Sequence, residues 1–307
     1  MSKSKKIRRK IRYSIVYHFV KSLIALSNWL PRIAWLKFCG WLGSIAYYFA
    51  AATRKLVIRH LTIAFKHELN SSGIKDLAKR VFEMLGKNAG DMLRATKVES
   101  LTELESFLVT NGLENYQRSI AKGKGVIFLT CHLGAFDLQV SNMALRGLNP
   151  NIIGTPLKDE RLNELLWNFR NKYGAIAIAR GKETFKLIKV LKSGGSVALL
   201  IDQDTKVKSR FVDFFGEPAA TPVGATVLAM KTGAAVVPTY IYLGGDWKQH
   251  MFILPEIPMR NTGDEEDDIT YNTQVLTAFI EDAIRRHPDQ WVWMHRRWKT
   301  RPGQEIK

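Results

Sequence analysis

A histidine and an aspartate stand five positions apart, directly after a short apolar run in the middle of the chain. Residues 125–130 predict a buried strand, and His132, Gly134 and Asp137 follow it. One continuous helix would point His132 and Asp137 about 140° apart, but they can meet if only Asp137 is helical. Asp137 would then hold one imidazole nitrogen and leave the other to accept a proton from a substrate hydroxyl. A capping aspartate beside a structural histidine fits the same spacing.

Polar residues also follow two later predicted strands. One strand ends in Arg180 and Gly181, and another ends just before Asp202 and Asp204. Ligands of open α/β sheets bind at the carboxyl ends of the strands, so these residues are candidates for the same site as His132. An arginine there suits a phosphate, a carboxylate or a developing oxyanion. A salt bridge from Arg180 to either aspartate is the alternative.

The elements that must position these residues alternate between strand and helix. Apolar strands separated by helices predict an α/β fold with a largely parallel sheet flanked by helices. Thr221 and Pro222 are predicted to begin a helix, as its N-cap and first residue. The predicted strands are 125–130, 151–155, 174–179, 196–201, 234–243 and 251–257, and the predicted helices are 135–145, 159–173, 182–192, 221–231 and 270–286.

The start of the chain has a different character. Seven lysines and arginines lie among residues 3–12 without an acid, and two apolar stretches follow at residues 13–30 and 35–52. Lys21 and Lys37 interrupt these stretches, and a lysine near the centre of a spanning helix costs about 2.5–3.5 kcal/mol. We predict a membrane-anchoring helical region at residues 1–55 and an α/β domain at residues 56–307. A buried helical hairpin is the alternative.

Composition restricts the partners and cofactors. The 307 residues include 46 basic and 28 acidic ones, a net charge of +18, which suits an anionic membrane, a phosphorylated substrate, an acidic protein or nucleic acid. Cys39 and Cys131 are the only cysteines, which excludes a disulfide scaffold. No zinc-ligand spacing and no nucleotide-binding glycine motif occurs, so we predict no metal and no cofactor.

Residues 291–299 interleave aromatic and basic side chains. This pattern is interpreted as a surface that faces a membrane or an acidic partner. Such interleaving can also stack single-stranded nucleic acid, but no nucleic-acid module accompanies it, so we expect no nucleic-acid partner.

Six motifs occur along the chain in this order: HLGAFD at 132–137, ARGKETF at 179–185, IDQD at 201–204, FFGEPAAT at 214–221, VVP at 236–238 and QWVWMHRRWKTRP at 290–302. Together they resemble the lipid A biosynthesis lauroyl/myristoyl acyltransferases, within the wider group of H-x4-(D/E) glycerolipid acyltransferases. The H-x4-D element alone is weak, whereas the ordered set is specific and runs over nearly the whole chain.

The resemblance implies an acyltransferase at the cytoplasmic face of a bacterial inner membrane. The donor would be an acyl chain on acyl carrier protein, and the acceptor a hydroxyl group of a lipid A precursor that bears Kdo sugars. His132 would be the general base and Asp137 would orient it. Arg180 and Asp202 would lie in the active site, with Gly181 and Asp204 beside them. No acyl-enzyme, metal or cofactor would be needed.

The H-x4-D box departs from the usual family pattern, which is closer to H-x-G-N-W-E. Ala135, Phe136 and Asp137 take the last three places. This difference leaves the chemistry intact and the acceptor open. A phospholipid, an ornithine-type lipid and a mannosylated lipid are alternative acceptors, and a non-catalytic lipid-binding protein of the same fold is a further alternative.

Overall fold

The amino-terminal part of the chain is helical in the computed structural model, which describes residues 3–179 and 185–304. Its helices are α1 (Lys3–Trp29), α2 (Arg32–Phe49), α3 (Ala51–Phe65) and α4 (Ser71–Ala95). Helices α2 and α4 pack backbone to backbone, because a Cβ atom at Gly43 would lie 2.1 Å from the carbonyl oxygen of Phe82. A Cβ atom at Gly86 would likewise lie 2.2 Å from the carbonyl oxygen of Cys39, so only glycine fits at either position.

The remaining elements build the sheet and its covering helices. In chain order they are α5 (Leu101–Glu105), β1 (Leu108–Asn111), α6 (Leu113–Ile120), β2 (Val126–Thr130), α7 (Leu138–Leu145), β3 (Asn151–Gly154), α8 (Glu160–Asn171), β4 (Ile176–Ala179), α9 (Lys186–Lys192), β5 (Ser196–Leu200), β6 (Ser209–Phe214), β7 (Glu217–Pro222), α10 (Gly224–Thr232), β8 (Ala235–Leu243), β9 (Gln249–Ile253) and α11 (Glu265–Arg286).

The main sheet has the strand order β1-β9-β8-β2-β5-β3-β4, and its pairs are parallel except for β8 with β9. The prediction of an α/β fold with a largely parallel sheet flanked by helices is confirmed. All five residues of β2 are buried, as expected for a central strand with both faces covered.

The pairing of β2 with β5 determines which strand ends meet. The register pairs Thr130 with Leu200, so residues 132 and 202 leave the sheet side by side. Strand β3 pairs with β5 only through Asn151 and Ile152, so the two strands part before their carboxyl ends. Strand β4 lies at the edge of the sheet, beyond β3. Arg180 follows this edge strand in the sequence and lies outside the described residues.

The predicted helix start at Thr221 and Pro222 is wrong. Both residues belong to β7, which forms an antiparallel hairpin with β6, and α10 begins at Gly224. The Thr221 side chain accepts a hydrogen bond from Arg297, which is fully buried. The hydroxyl group is therefore satisfied by a distant part of the chain rather than by capping a helix, which no local pattern could reveal.

The amino-terminal helices contribute to the core of the sheet domain. Tyr47, Val57 and Leu61 are buried in the same apolar cluster as residues of β2 and α11. Among the described residues no helix combines the length and the apolar character that crossing a bilayer requires. The boundary predicted near residue 55 falls inside α3 and stays a prediction.

Candidate active site

His132 lies in the loop after β2 and makes two hydrogen bonds with the carboxylate of Asp202. Its Nδ1 lies 2.8 Å from Asp202 Oδ1, and its backbone N–H donates to Asp202 Oδ2, also at 2.8 Å. The strand register brings the two residues together, because each stands two positions beyond a paired residue. A carboxylate on Nδ1 keeps the proton there and leaves Nε2 with a free lone pair. This is the tautomer that a general base needs.

Asp202 is a buried carboxylate, and among the described residues no lysine or arginine side chain forms a salt bridge with it. Its side chain is fully buried, and Trp291 Nε1 donates a third hydrogen bond to Oδ2 at 2.8 Å. Burial raises the pKa of Asp202, but the charge of His132 and the hydrogen bonds from His132 and Trp291 outweigh it and lower the pKa to about 2. The carboxylate is therefore ionised at neutral pH and can stabilise a protonated imidazole.

Asp137, the predicted partner of His132, is instead bound by an arginine. Arg170 of α8 donates from Nε to Oδ1 at 3.0 Å and from an Nη atom to Oδ2 at 3.1 Å, so the pair is bidentate. The two side chains are 15% and 13% exposed. Asp137 ends the loop immediately before α7 and makes no capping hydrogen bond with its side chain.

These contacts differ from the predicted pairing of Asp137 with His132, and the role of Asp137 in catalysis stays a prediction. Asp202 occupies Nδ1, and the guanidinium of Arg170 balances the charge of Asp137. A carboxylate that is already paired with a cation stabilises an imidazolium less than an unpaired one does. Both geometry and charge therefore favour Asp202 as the residue that supports His132.

An apolar cavity of about 660 Å³ opens beside His132, Asp137 and Arg170. Its volume lies within the range of sites for small molecules and cofactors, about 300–1,000 Å³. The cavity reaches both faces of the sheet, because Phe128 and Leu199 line it from opposite apolar clusters. It does so beside the place where β3 and β5 part. Other apolar lining residues are Val140, Met143, Ile152, Leu166, Leu187, Ala198, Ile201 and Leu228.

The other predicted site residues are placed as follows. Asp204 is buried and accepts hydrogen bonds from the backbone and hydroxyl of Thr300 at 2.9 and 3.1 Å. It anchors the end of the chain in this structure, and its contact with a substrate stays a prediction. Arg180 and Gly181 lie outside the described residues.

The aromatic and basic segment at residues 291–299 buries its tryptophans, although two of its basic residues are exposed. Trp291, Trp293, Trp298 and Arg297 are at most 4% exposed. Burial lowers the pKa of Arg297 to about 10, although the carboxylates of Asp202 and Asp204 act in the opposite direction. The aromatic rings of this segment therefore complete the core behind the site, and a membrane-facing or partner-facing role of its exposed basic residues stays a prediction.

Two residues of the site escaped prediction, for different reasons. Arg170 is one of several polar residues on α8, and nothing in its spacing indicates that it reaches Asp137. Trp291 stands 89 positions from Asp202. Its signal was the unusual tryptophan density of residues 291–298, which indicates buried structure as readily as a surface.

An α/β sheet that presents a histidine–carboxylate pair beside an apolar cavity suits proton transfer on an apolar substrate. The bacterial lipid A biosynthesis acyltransferase family matches residues 1–300, and the chain belongs to this family.

Named relatives show the range of the family. A phosphatidylinositol mannoside acyltransferase of Mycobacterium tuberculosis is 27% identical over 195 residues, which cover 62% of this chain and 60% of that protein. The Escherichia coli lipid A biosynthesis lauroyltransferase is 28% identical over 275 residues, covering 86% and 84%. The E. coli lipid A biosynthesis palmitoleoyltransferase is 30% identical over 195 residues, covering 62% and 61%. The chain thus spans about three fifths of the mannoside acyltransferase and more of the lauroyltransferase.

The pairing of Asp137 with Arg170 rather than with His132 predicts a selective energetic coupling. Breaking a buried ion pair costs about 3–5 kcal/mol, and the partial exposure of this pair should reduce the cost to about 2 kcal/mol. We expect Asp137→Asn and Arg170→Met to show a coupling above about 1 kcal/mol in a double-mutant cycle of urea unfolding. The matched cycle of Asp137→Asn with His132→Gln should show almost none. A larger coupling of Asp137 to His132 than to Arg170 would contradict the observed pairing.

Proposed function

We propose that the chain is an O-acyltransferase that moves a fatty acyl group from the thioester of acyl carrier protein to a hydroxyl group of a membrane lipid. The observation that carries the proposal is the His132 imidazole, held through Nδ1 by the ionised Asp202 at the side of an apolar cavity. Membership of the family supports the reaction type. The imidazole supplies the base, and the cavity supplies room for a hydrocarbon chain.

The chemistry follows from the free Nε2 of His132. This nitrogen takes the proton of the acceptor hydroxyl while the hydroxyl oxygen attacks the thioester carbonyl carbon. Asp202 stabilises the imidazolium that forms, and its two bonds to His132 fix the orientation of the ring. When the tetrahedral intermediate collapses, the C–S bond breaks and the imidazolium returns its proton to the leaving thiolate. The products are an ester and a free thiol.

Arg170 is proposed to contact the substrates. Its pairing with Asp137 uses two of its five N–H donors, so others can bind an acceptor phosphate or the oxyanion of the intermediate. Asp137 then acts through Arg170 by fixing the guanidinium plane. In this proposal the carboxylate of the H-x4-D motif positions the substrate-binding Arg170 rather than the base. Arg180 is proposed to bind substrate, as the resemblance implies.

The preferred acceptor is a lipid A precursor that carries Kdo sugars, since two of the relatives described above are lipid A acyltransferases. The net charge of +18 suits both a phosphorylated glycolipid and an acidic acyl carrier protein. The relatives also include mannoside acyltransferases, so a mannosylated lipid is the second candidate acceptor.

We propose that α1 holds the protein on an anionic inner membrane, with the active site on the cytoplasmic face. Ile11, Ile15 and Phe19 repeat every fourth residue, so they share a helix face, and each is more than half exposed. Arg8 and Arg12 are exposed on the same part of the helix. An apolar stripe flanked by arginines suits a helix lying in the headgroup region.

The reaction is tested by the lipids that the protein changes. His132→Gln removes the base while retaining a polar side chain, so we expect acyl transfer to fall to background with little loss of folding. Mass spectrometry of lipids from cells that lack the gene, and from those carrying wild type or His132→Gln, gives the acceptor and the added mass. Full activity in His132→Gln would contradict the proposed mechanism. A folded, lipid-binding wild type without transfer would favour a non-catalytic binding protein.

Membrane attachment through α1 predicts a selective loss of vesicle binding. Ile15→Asp with Phe19→Asp adds two negative charges to the apolar stripe, so sedimentation with vesicles containing phosphatidylglycerol should fall at least tenfold, given about 1 kcal/mol per charge near an anionic surface. Tyr271→Asp is the matched control, because Tyr271 is an exposed aromatic residue of α11. Equal binding by the double variant and wild type would exclude α1 as the attachment site.

A further inference from the structure

Residues 290–292 form a strap that crosses the His132 loop. The backbone N–H of Gly134 donates to the carbonyl oxygen of Gln290 at 3.0 Å, and the N–H of Val292 donates to that of His132 at 3.1 Å. Leu133 and Trp291 form an antiparallel bridge between these two bonds. The strap therefore fixes the backbone from His132 to Gly134, although it lies about 160 residues further along the chain.

The strap is itself fixed at Gln290. The side-chain amide donates to the carbonyl oxygen of Leu243 at 2.9 Å and accepts from the backbone N–H of Leu243 at 2.9 Å. Asn88 of α4 donates to the same amide oxygen at 3.2 Å. All three residues are buried, so the strap is held by β8 and α4 in a site where these bonds do not compete with water.

The Trp291 side chain extends from the strap to the pair formed by His132 and Asp202. Its indole N–H donates to Asp202 Oδ2 at 2.8 Å, and the ring packs edge-on against Trp293 and Phe214, with centroid distances of 4.7 and 5.7 Å. Asp202 thus receives three hydrogen bonds, two from His132 and one from Trp291. Among the described contacts, Trp291 supplies the one bond to this carboxylate that does not come from His132 itself.

The type of donor matters as much as its position. An indole N–H is neutral, so it holds the carboxylate in place without cancelling its charge. An arginine in its place would balance the charge of the Asp202 carboxylate, as Arg170 balances that of Asp137. The neutral donor therefore keeps Asp202 oriented and still free to stabilise the imidazolium of His132.

We infer that Trp291 is a positioning residue of the active site, which orients the Asp202 carboxylate and, through it, the Nδ1-protonated form of His132. The inference rests on the proposed function of His132 as the base. We expect Trp291 to affect turnover rather than substrate binding. The residue is buried behind His132 and Asp202 and is not among the residues that line the cavity.

A neighbouring tryptophan provides a matched control. Trp293 is also fully buried, and its indole N–H donates to the carbonyl oxygen of Pro288 at 2.7 Å rather than to the dyad. Trp293→Phe and Trp291→Phe therefore remove the same atoms and a hydrogen bond of similar length. A merely structural role of Trp291 predicts the same effects from both substitutions.

The experiment compares steady-state kinetics and histidine nuclear magnetic resonance of the full chain. We expect Trp291→Phe to lower kcat about ten- to a hundredfold, the effect of losing one hydrogen bond to a charged group, while KM changes less than about twofold. Folded Trp293→Phe should keep kcat within about twofold of wild type. Trp291→Phe in an Asp202→Asn background should lower kcat no further, because the residue acts through Asp202.

The resonance measurement does not depend on catalysis. In protein labelled with ¹⁵N-histidine, the His132 signal should show less of the Nδ1-protonated form in Trp291→Phe and no change in Trp293→Phe. If Trp291→Phe does not fold, benzothienylalanine in place of Trp291 keeps the ring size and removes only the N–H. Unchanged kcat and an unchanged His132 signal would overturn the inference, as would equal losses in both tryptophan variants. A shifted His132 signal in a protein without transferase activity would support the positioning role and contradict the proposed function.

Discussion

The buried Asp202 carboxylate is the charge around which the carboxyl end of the sheet is organised. It stands next to His132 because β2 and β5 are neighbours in register, and it stays ionised because three N–H donors replace the water it has lost. Removing those donors would leave an unsatisfied charge in the core, which no fold tolerates cheaply. The strap, the tryptophan cluster and the β2–β5 pairing together bring these donors to the buried carboxylate.

The contrast between two carboxylates explains the division of labour in the site. Asp137 is partly exposed and neutralised by Arg170, whereas Asp202 is buried and held by neutral or histidine donors. A carboxylate that is not paired with a cation stabilises an imidazolium formed beside it more strongly than a neutralised one does. The histidine and the aspartate of the H-x4-D motif therefore have separate partners and do not bind each other; in the proposed mechanism the first is the base and the second fixes a guanidinium.

Much of this arrangement follows from local sequence. The strands β2, β3, β4 and β5 were predicted to within two residues, since buried parallel strands are short apolar runs bounded by loops. His132 and Asp202 were singled out because they follow such runs. Their pairing could not be predicted, because the order of strands in the sheet is decided by long-range packing. The same limit concealed the β6–β7 hairpin and the position of β4 at the edge of the sheet.

The composition of the tryptophan-rich segment at residues 291–299 suggested exposed aromatic side chains, which are in fact buried. Aromatic and basic residues in alternation suit a membrane surface, yet Trp291 and Trp293 are buried and Arg297 satisfies the hairpin from within. A buried guanidinium needs several acceptors around it, and the sequence gives no sign that the carbonyl oxygen of Ala220 is one of them. The N-terminal helices carry the exposed apolar stripe that the terminal segment lacks.

In the proposed mechanism Asp202 rather than Asp137 supports the base. The most direct test is the comparison of kcat and KM for folded Asp202→Asn and Asp137→Asn with the same acyl donor and acceptor. Loss of the carboxylate on Nδ1 lowers kcat by about 10⁴ in a well-characterised triad, so Asp202→Asn should lose at least a hundredfold in kcat with KM little changed. Asp137→Asn, which frees Arg170, should act mainly on KM. A near-normal kcat in Asp202→Asn, together with loss of kcat in Asp137→Asn, would contradict the account.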